Sequence, residues 1–508
     1  MVTTIFNYDH NRITASLEET TDTPGPVFVD RDAERAELRE LLAQGRPQLA
    51  LLYGRRRVGK THLLKHIWPA RTTFHFTAAN TTPEQNRRQL IADAAEWSGD
   101  GLREEDYPTW RTVFRMLVEL KAHEPLVVIL DEFQYFGSDA TSLSHVASEL
   151  NAVWEQRRPP RALVLVLSGS SISMLESLNT GAAPLYGRFA WHEQLRPFDY
   201  WYAARMASFR SLRDRALVYG IYGGTPHYLS TLRTGQSLAR NVERAILSPR
   251  GEVRLLLETA MVQEEGLREP HTYTGLLRAI GAGHTELNGI GQRTGLPVNS
   301  ALREKIERLV ALGYVEAQRN FAAGPKEPYR YRIADPAFMF YHEFVVPHET
   351  LLTRLAPSVF WSQHVEPRLD VYMGHAFERI AEQAYVRAMN TKHLPFAKTW
   401  GRWEGKDREG APIEIDLVAT LDDGRTLTGG IKWNRKPLAT EVFTHHLRML
   451  DRLAAAGKSW AHRAREPGAP LLFVAAGGFS SGFQSAARVS GHPVTLWALK
   501  DLYGHRLR

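Results

Sequence analysis

Leu49-Ala50-Leu51-Leu52-Tyr53-Gly54-Arg55-Arg56-Arg57-Val58-Gly59-Lys60-Thr61 is the stretch that decides how this chain is read. Leu49–Tyr53 is a short apolar run, as a strand buried on both faces requires. A glycine-bounded loop follows, and Thr61–Ile67 is predicted to open a helix, the strand–loop–helix context of a phosphate-binding loop. Gly54 and Gly59 let backbone N–H groups turn inward on phosphate oxygens, and the helix N-terminus adds partial positive charge. Lys60 is placed to reach the β- and γ-phosphates of ATP, and Thr61 to coordinate magnesium. Gly54, Arg55, Arg56, Arg57, Val58, Gly59, Lys60 and Thr61 are therefore the candidate nucleotide-binding residues, with ATP and Mg2+ as the cofactors they imply.

A second buried run, Leu126–Leu130, ends in Asp131-Glu132. At the edge of a parallel sheet beside the loop, Asp131 would hold magnesium and Glu132 would polarise the attacking water. Leu163–Leu167 ends in Ser168-Gly169-Ser170, where a small polar residue is placed to sense the γ-phosphate or simply starts a loop. Arg188 is a candidate catalytic arginine for its own or a neighbouring subunit, with a surface salt bridge as the alternative. Pro226, in Gly224-Thr225-Pro226, is a candidate adenine contact or a plain helix-breaking turn.

With 508 residues the chain is too long for a single core, and about three domains are expected. Hydrophobic residues at 43% and charged residues at 23% describe an ordinary globular protein. No apolar run approaches the roughly 20 residues that span a bilayer, so no membrane partner is expected. The first residues lack the apolar core of a secretory signal. The absence of cysteine excludes disulfides and thiolate zinc sites, and cytoplasmic localisation is expected. A net charge of +7 favours polyanions and makes DNA a candidate partner, against a generic solvated surface.

Alternating apolar and amphipathic segments predict an α/β fold: a P-loop parallel-sheet core at 27–197 after a polar lead-in at 1–26. A helical lid follows at 198–268. Residues 269–350 read as three helices and two short strands, a winged helix, whose third helix offers Arg303, Lys305 and Arg308 to a DNA groove or serves as a plain packing module. Residues 358–508 read as a second α/β domain.

Phe28-Val29-Asp30-Arg31, Leu130-Asp131-Glu132-Phe133-Gln134 and Gly223-Gly224-Thr225-Pro226 resemble the prokaryotic AAA+-related ATPases of the STAND kind. The resemblance implies that Phe28 and Arg31 flank the adenine and that Pro226 belongs to the lid. Tyr331-Arg332-Ile333-Ala334-Asp335-Pro336 and the segment after Tyr372 resemble a subgroup with a winged helix and a C-terminal PD-(D/E)XK, restriction-endonuclease-like domain. That pattern puts Glu378 on a helix and Asp416 at a strand end as metal ligands, with Lys432 as the motif lysine. Gly430 stands where the pattern has a carboxylate, and Glu414 or Glu441 would have to substitute from elsewhere. An active nuclease, an inactive nuclease fold used for binding or assembly, and an unrelated α/β domain are the open readings. The function expected is ATP hydrolysis acting on or with DNA, in a homo-oligomer or with a partner protein. The alternative is a slow nucleotide-gated switch or scaffold.

Overall fold

The computed structural model describes residues 29–504, apart from 122–123, 157–160, 265–266, 268, 325 and 392. The lead-in at 1–26 and Phe28 lie outside the described residues. The first sheet has five strands: β1 (Pro47–Tyr53), β2 (Thr73–Thr77), β3 (Leu126–Asp131), β4 (Leu163–Gly169) and β5 (Phe189–Gln194). All pair in parallel, in the order β2-β3-β4-β1-β5. β1, β3 and β4 are buried almost throughout, because helices cover both faces. β4 lies between β1 and β3, so its C-terminal end opens between the phosphate-binding loop and the acidic pair.

A run of short helices from Tyr200 to Gln263 follows. Gly224 in its central turn is required by close packing: a Cβ there would lie 1.8 Å from the Phe198 carbonyl oxygen. Helices Pro270–Gly281, Leu287–Thr294 and Ser300–Ala311 come next, then the antiparallel pair β6 (Val315–Gln318) and β7 (Arg330–Ile333).

The second sheet is mixed, in the order β12-β11-β10-β9-β8. β8 (Ala397–Lys406), β9 (Pro412–Leu421) and β10 (Thr426–Lys432) form an antiparallel meander. β11 (Leu471–Ala475) and β12 (Val494–Ala498) extend it in parallel. The helix Glu366–Asn390 precedes this sheet and ties it to the rest. Tyr372 Oη donates to the Gly220 carbonyl, Gln383 donates to Tyr219 Oη at 2.7 Å, and Arg387 pairs with Asp199 at 2.9 Å. Arg379 of the same helix pairs with Glu316 on β6. The loop between β6 and β7 rests on β8: Phe321 N–H donates to the Arg402 carbonyl at 2.8 Å, and Asn320 exchanges two bonds with the Glu404 backbone. Tyr200, at the start of the helical segment, donates to the Leu502 carbonyl at 2.8 Å, and its ring meets Tyr503. Among the described residues no helix is long and apolar enough to cross a membrane.

Candidate active site

The loop after β1 wraps the N-terminus of the helix Lys60–Lys65. Gly54 is the one residue that fits its position, since a Cβ would lie 2.4 Å from the Leu195 carbonyl oxygen. Lys60 is buried, and its ammonium donates to the Gly54 and Arg55 carbonyls at 2.8 and 3.1 Å. Burial pushes its pKa down, while Glu132 and Asp131 oppose the shift. Thr61 Oγ1 donates to Asp131 Oδ2 at 2.6 Å. The β1–β4–β3 arrangement thus brings together the two side chains expected to serve magnesium.

Asp131 is fully buried. Burial alone would raise its pKa, but the His75 ring, with Nε2 3.8 Å away, and the Thr61 hydrogen bond outweigh it. The carboxyl is held at about 2 and is ionised at neutral pH. His75 on β2 was not singled out from sequence. Its only signal is its place two residues before the end of the strand beside β3.

Glu132 takes a left-handed backbone conformation, φ 53°, uncommon for a residue with a side chain and frequent at functional sites. Its Oε2 accepts from Gln134 Nε2 at 2.6 Å, from Ser170 Oγ at 2.8 Å and from Ser170 N–H at 3.1 Å. Ser170 therefore touches the acidic pair, and Gln134, two residues after Glu132, joins the site.

Arg31 and Pro226, expected on the adenine side, are linked through Phe198 and Gly224. Arg31 donates to the Arg196 carbonyl and lies over the Phe198 ring at 4.9 Å. Phe198 N–H donates to the Gly224 carbonyl at 2.8 Å. Pro226 opens the helix Pro226–Ser230 and stands beside Gly59, where a Cβ would lie 3.9 Å from its ring.

The side chains of Arg55, Arg56 and Arg57 are engaged by residues outside the loop, which leaves its backbone N–H groups as the expected phosphate donors. Arg55 pairs with Asp335 at 3.0 Å and stacks on Tyr314 at 3.8 Å. Arg56 donates to Tyr135 Oη at 3.0 Å, and Arg57 to Gln263. Asp335 was quoted as part of a family motif, and nothing local signalled contact with a residue 280 positions earlier.

Arg188 precedes β5, at the sheet edge opposite the loop, and pairs with Glu155 at 3.3 Å. The length of β5 puts it about 20 Å from the loop, so it cannot reach a γ-phosphate in its own site. The three cations of Ser300–Ala311 do not form one surface. Arg303 is exposed, Lys305 pairs with Glu269 at 3.2 Å, and Arg308 donates to Ser173 after β4.

In the second sheet, Glu378, Asp416 and Lys432 do come together. Lys432 Nζ lies 2.8 Å from Asp416 Oδ2, which also accepts from Ile431 N–H at 2.9 Å. Burial raises Glu378 to about 7, opposed by Arg402 and reinforced by Asp416. Arg402 is the neighbour the sequence did not reveal. Its guanidinium lies 3.8 Å from Glu378, 3.0 Å from Glu404 and 2.5 Å from Glu414. Glu414 is thereby engaged by an arginine rather than free to replace the missing carboxylate. Glu441 begins the helix Thr440–Ala455. Among the described residues no group of three or more His, Asp or Glu is arranged to hold a metal ion. Glu378 faces Arg402 and Asp416 faces Lys432, so both carboxylates expected as metal ligands already have cationic neighbours.

Residues 28–232 match a family described as an ATPase domain predominantly from Archaea. The N-terminal part of this chain has the parallel α/β fold of P-loop ATPases. Residues 341–443 match a second family, described as archaeal and bacterial proteins of unknown function. An uncharacterized protein of Methanocaldococcus jannaschii is 25% identical over 414 residues, 80% of this chain and 88% of that protein. Among solved structures, the Walker-type ATPase of Pyrococcus abyssi aligns with a TM-score of 0.47 and 23% identity, over 62% of this chain and 96% of that one. The Aeropyrum pernix ORC2 protein, solved as ADPNP–ADP complexes, aligns with a TM-score of 0.43 and 16% identity, over 65% of this chain and 95% of that one.

Proposed function

We propose that the ATPase domain binds ATP with magnesium and hydrolyses it, and that turnover drives a rearrangement of the helical and C-terminal units on DNA. The observation that carries the reading is the convergence of Lys60, Thr61, Asp131 and Glu132 at one edge of the parallel sheet, with Thr61 bonded directly to an ionised Asp131. The hydroxyl and carboxylate fit a hard cation, and magnesium held there would neutralise charge developing on the phosphates. Lys60 exchanges its loop carbonyls for β- and γ-phosphate oxygens. Glu132 orients the water that attacks the γ-phosphorus, and the bond to the leaving oxygen of ADP breaks. Arg31, Phe198 and Pro226 seat the base. Arg188 acts, in this reading, only on the site of a neighbouring copy.

The excess of 7 positive charges supports a polyanionic partner. A switch that hydrolyses slowly and recruits a partner protein is the second reading. It is favoured by the three hydrogen bonds that hold Glu132 on Gln134 and Ser170, because water activation has to wait for their release. The ATPase rate with and without DNA separates the two. Strong stimulation supports the first reading; slow, DNA-indifferent turnover with ATP-dependent assembly supports the second.

A further inference from the structure

The carboxylates around β8 and β9 would repel one another if left alone. Glu378, Glu404 and Glu414 lie within reach of the Arg402 guanidinium, and Asp416 of Lys432. A nuclease site places a divalent cation among such carboxylates and neutralises them with it. Here Arg402, with a side chain only 14% exposed, already supplies the positive charge. The position two residues before Lys432 is Gly430, so the carboxylate that would compete for the cation is also missing. The backbone does not forbid one. A Cβ at Gly430 would lie 3.7 Å from Asp416 Oδ2, with the Phe473 ring at 3.3 Å needing to give by a few tenths of an ångström.

Arg402 has a second attachment. Its carbonyl accepts from Phe321 N–H at 2.8 Å, and Glu404 both pairs with Arg330 and exchanges backbone bonds with Asn320. The charge cluster and the seat of the β6–β7 hairpin are therefore one continuous patch of β8.

We infer that Arg402 stands in place of a divalent metal ion, so that this nuclease-like cluster is a metal-free ionic fastening that holds the β6–β7 hairpin on the second sheet. The inference rests on the nuclease-like reading of that sheet. Its chemistry is electrostatic: Arg402 lies among carboxylates of a helix and two strands, Lys432 and Arg330 pair with Asp416 and Glu404, and together these cations oppose entry of a divalent ion. Arg402 is a positioning residue here and takes no part in ATP hydrolysis.

The test uses the full chain in an Asp131→Ala background, which silences the magnesium position of the ATPase domain. Mn2+ binding is followed by electron paramagnetic resonance in that parent, in Arg402→Gln and in Arg402→Gln/Gly430→Glu. Amide hydrogen exchange of the β6–β7 hairpin is read on the same samples. The parent should show no Mn2+ binding that depends on Asp416. The double variant should bind Mn2+ at least about tenfold more tightly, having gained a carboxylate and lost a competing charge. Hairpin exchange should accelerate in Arg402→Gln while circular dichroism stays native.

If the parent binds Mn2+ and Asp416→Asn abolishes it, the inference fails and the nuclease-like reading survives. If the folded double variant still ignores Mn2+, both fail together. Unchanged hairpin protection in Arg402→Gln overturns the fastening role.

Discussion

Asp335→Asn is the perturbation that most directly probes the bond between the nucleotide loop and the distant C-terminal half. Arg55 and Asp335 meet at 3.0 Å with side chains 9% and 5% exposed. Asparagine keeps the Oδ1 acceptor that receives Ala337 N–H at 2.9 Å, so the cap of the helix Pro336–Phe340 survives. What is lost is the counter-charge to a buried guanidinium. Removing one partner of a buried pair costs about 3–5 kcal/mol. The stack of Arg55 on Tyr314 offsets part of this, and the lower end, about 3 kcal/mol, is expected. Arg55→Met leaves Asp335 with its backbone donors and should cost less. The double variant should be more stable than the summed single effects by about 2 kcal/mol. Urea unfolding followed by tryptophan fluorescence measures the cycle, and nucleotide titration measures the consequence for the loop. ATP affinity should fall roughly tenfold in Asp335→Asn if about 1.4 kcal/mol of the loss reaches the loop. Single-variant losses that add to within about 0.5 kcal/mol would show that the two residues are neighbours without being coupled.

Lys60→Ala should abolish tight ATP binding, whereas Glu132→Gln should bind ATP normally and hydrolyse it slowly. Equilibrium binding and phosphate release distinguish them, and wild-type turnover in Lys60→Ala would refute the assignment. Any DNA affinity should fall steeply with salt. Arg303→Ala should lower the logarithmic salt slope by about 0.9, while Arg308→Ala, anchored on Ser173, should leave it nearly unchanged. A fall in slope for Arg308→Ala and none for Arg303→Ala would invert that assignment. His446 is fully buried against Thr428, and burial lowers its pKa to about 3 from an ordinary 6.5. The unfolded chain therefore binds the extra proton first, so this residue's contribution is complete above pH 6.5 and is lost as pH falls toward 3. Chemical denaturation at stepped pH should show a shallower acid loss in His446→Gln; an unchanged profile would place the acid sensitivity elsewhere.

The phosphate-binding loop and the acidic pair were legible because their chemistry depends on neighbours in sequence, and the buried strands β1, β3 and β4 because both faces are apolar. β5 and β8 were not found. β5 alternates half-buried and exposed residues, and β8 mixes glycines, tryptophans and charges, so neither presents a sustained apolar run. Without β8 on the page, Arg402 had no place near Glu378, so the cluster read as a metal site missing one ligand. The helix that carries Glu378 begins at Glu366, with Pro367 in its first turn. The three arginines of the loop were assigned by position within a motif. Their side chains answer instead to Asp335, Tyr135 and Gln263, contacts that depend on long-range packing.

The bond from Tyr200 to Leu502 links residues 302 positions apart. A ribosome adds about 5–20 residues per second, so some 15–60 s separate the emergence of these partners. During that interval Tyr200, buried in the finished protein, has neither its hydrogen-bond acceptor nor the Tyr503 ring. Nascent chains of this protein should therefore present the start of the helical segment to chaperones until the second sheet is made, and truncations within that sheet should be cleared by proteases although the ATPase domain is intact.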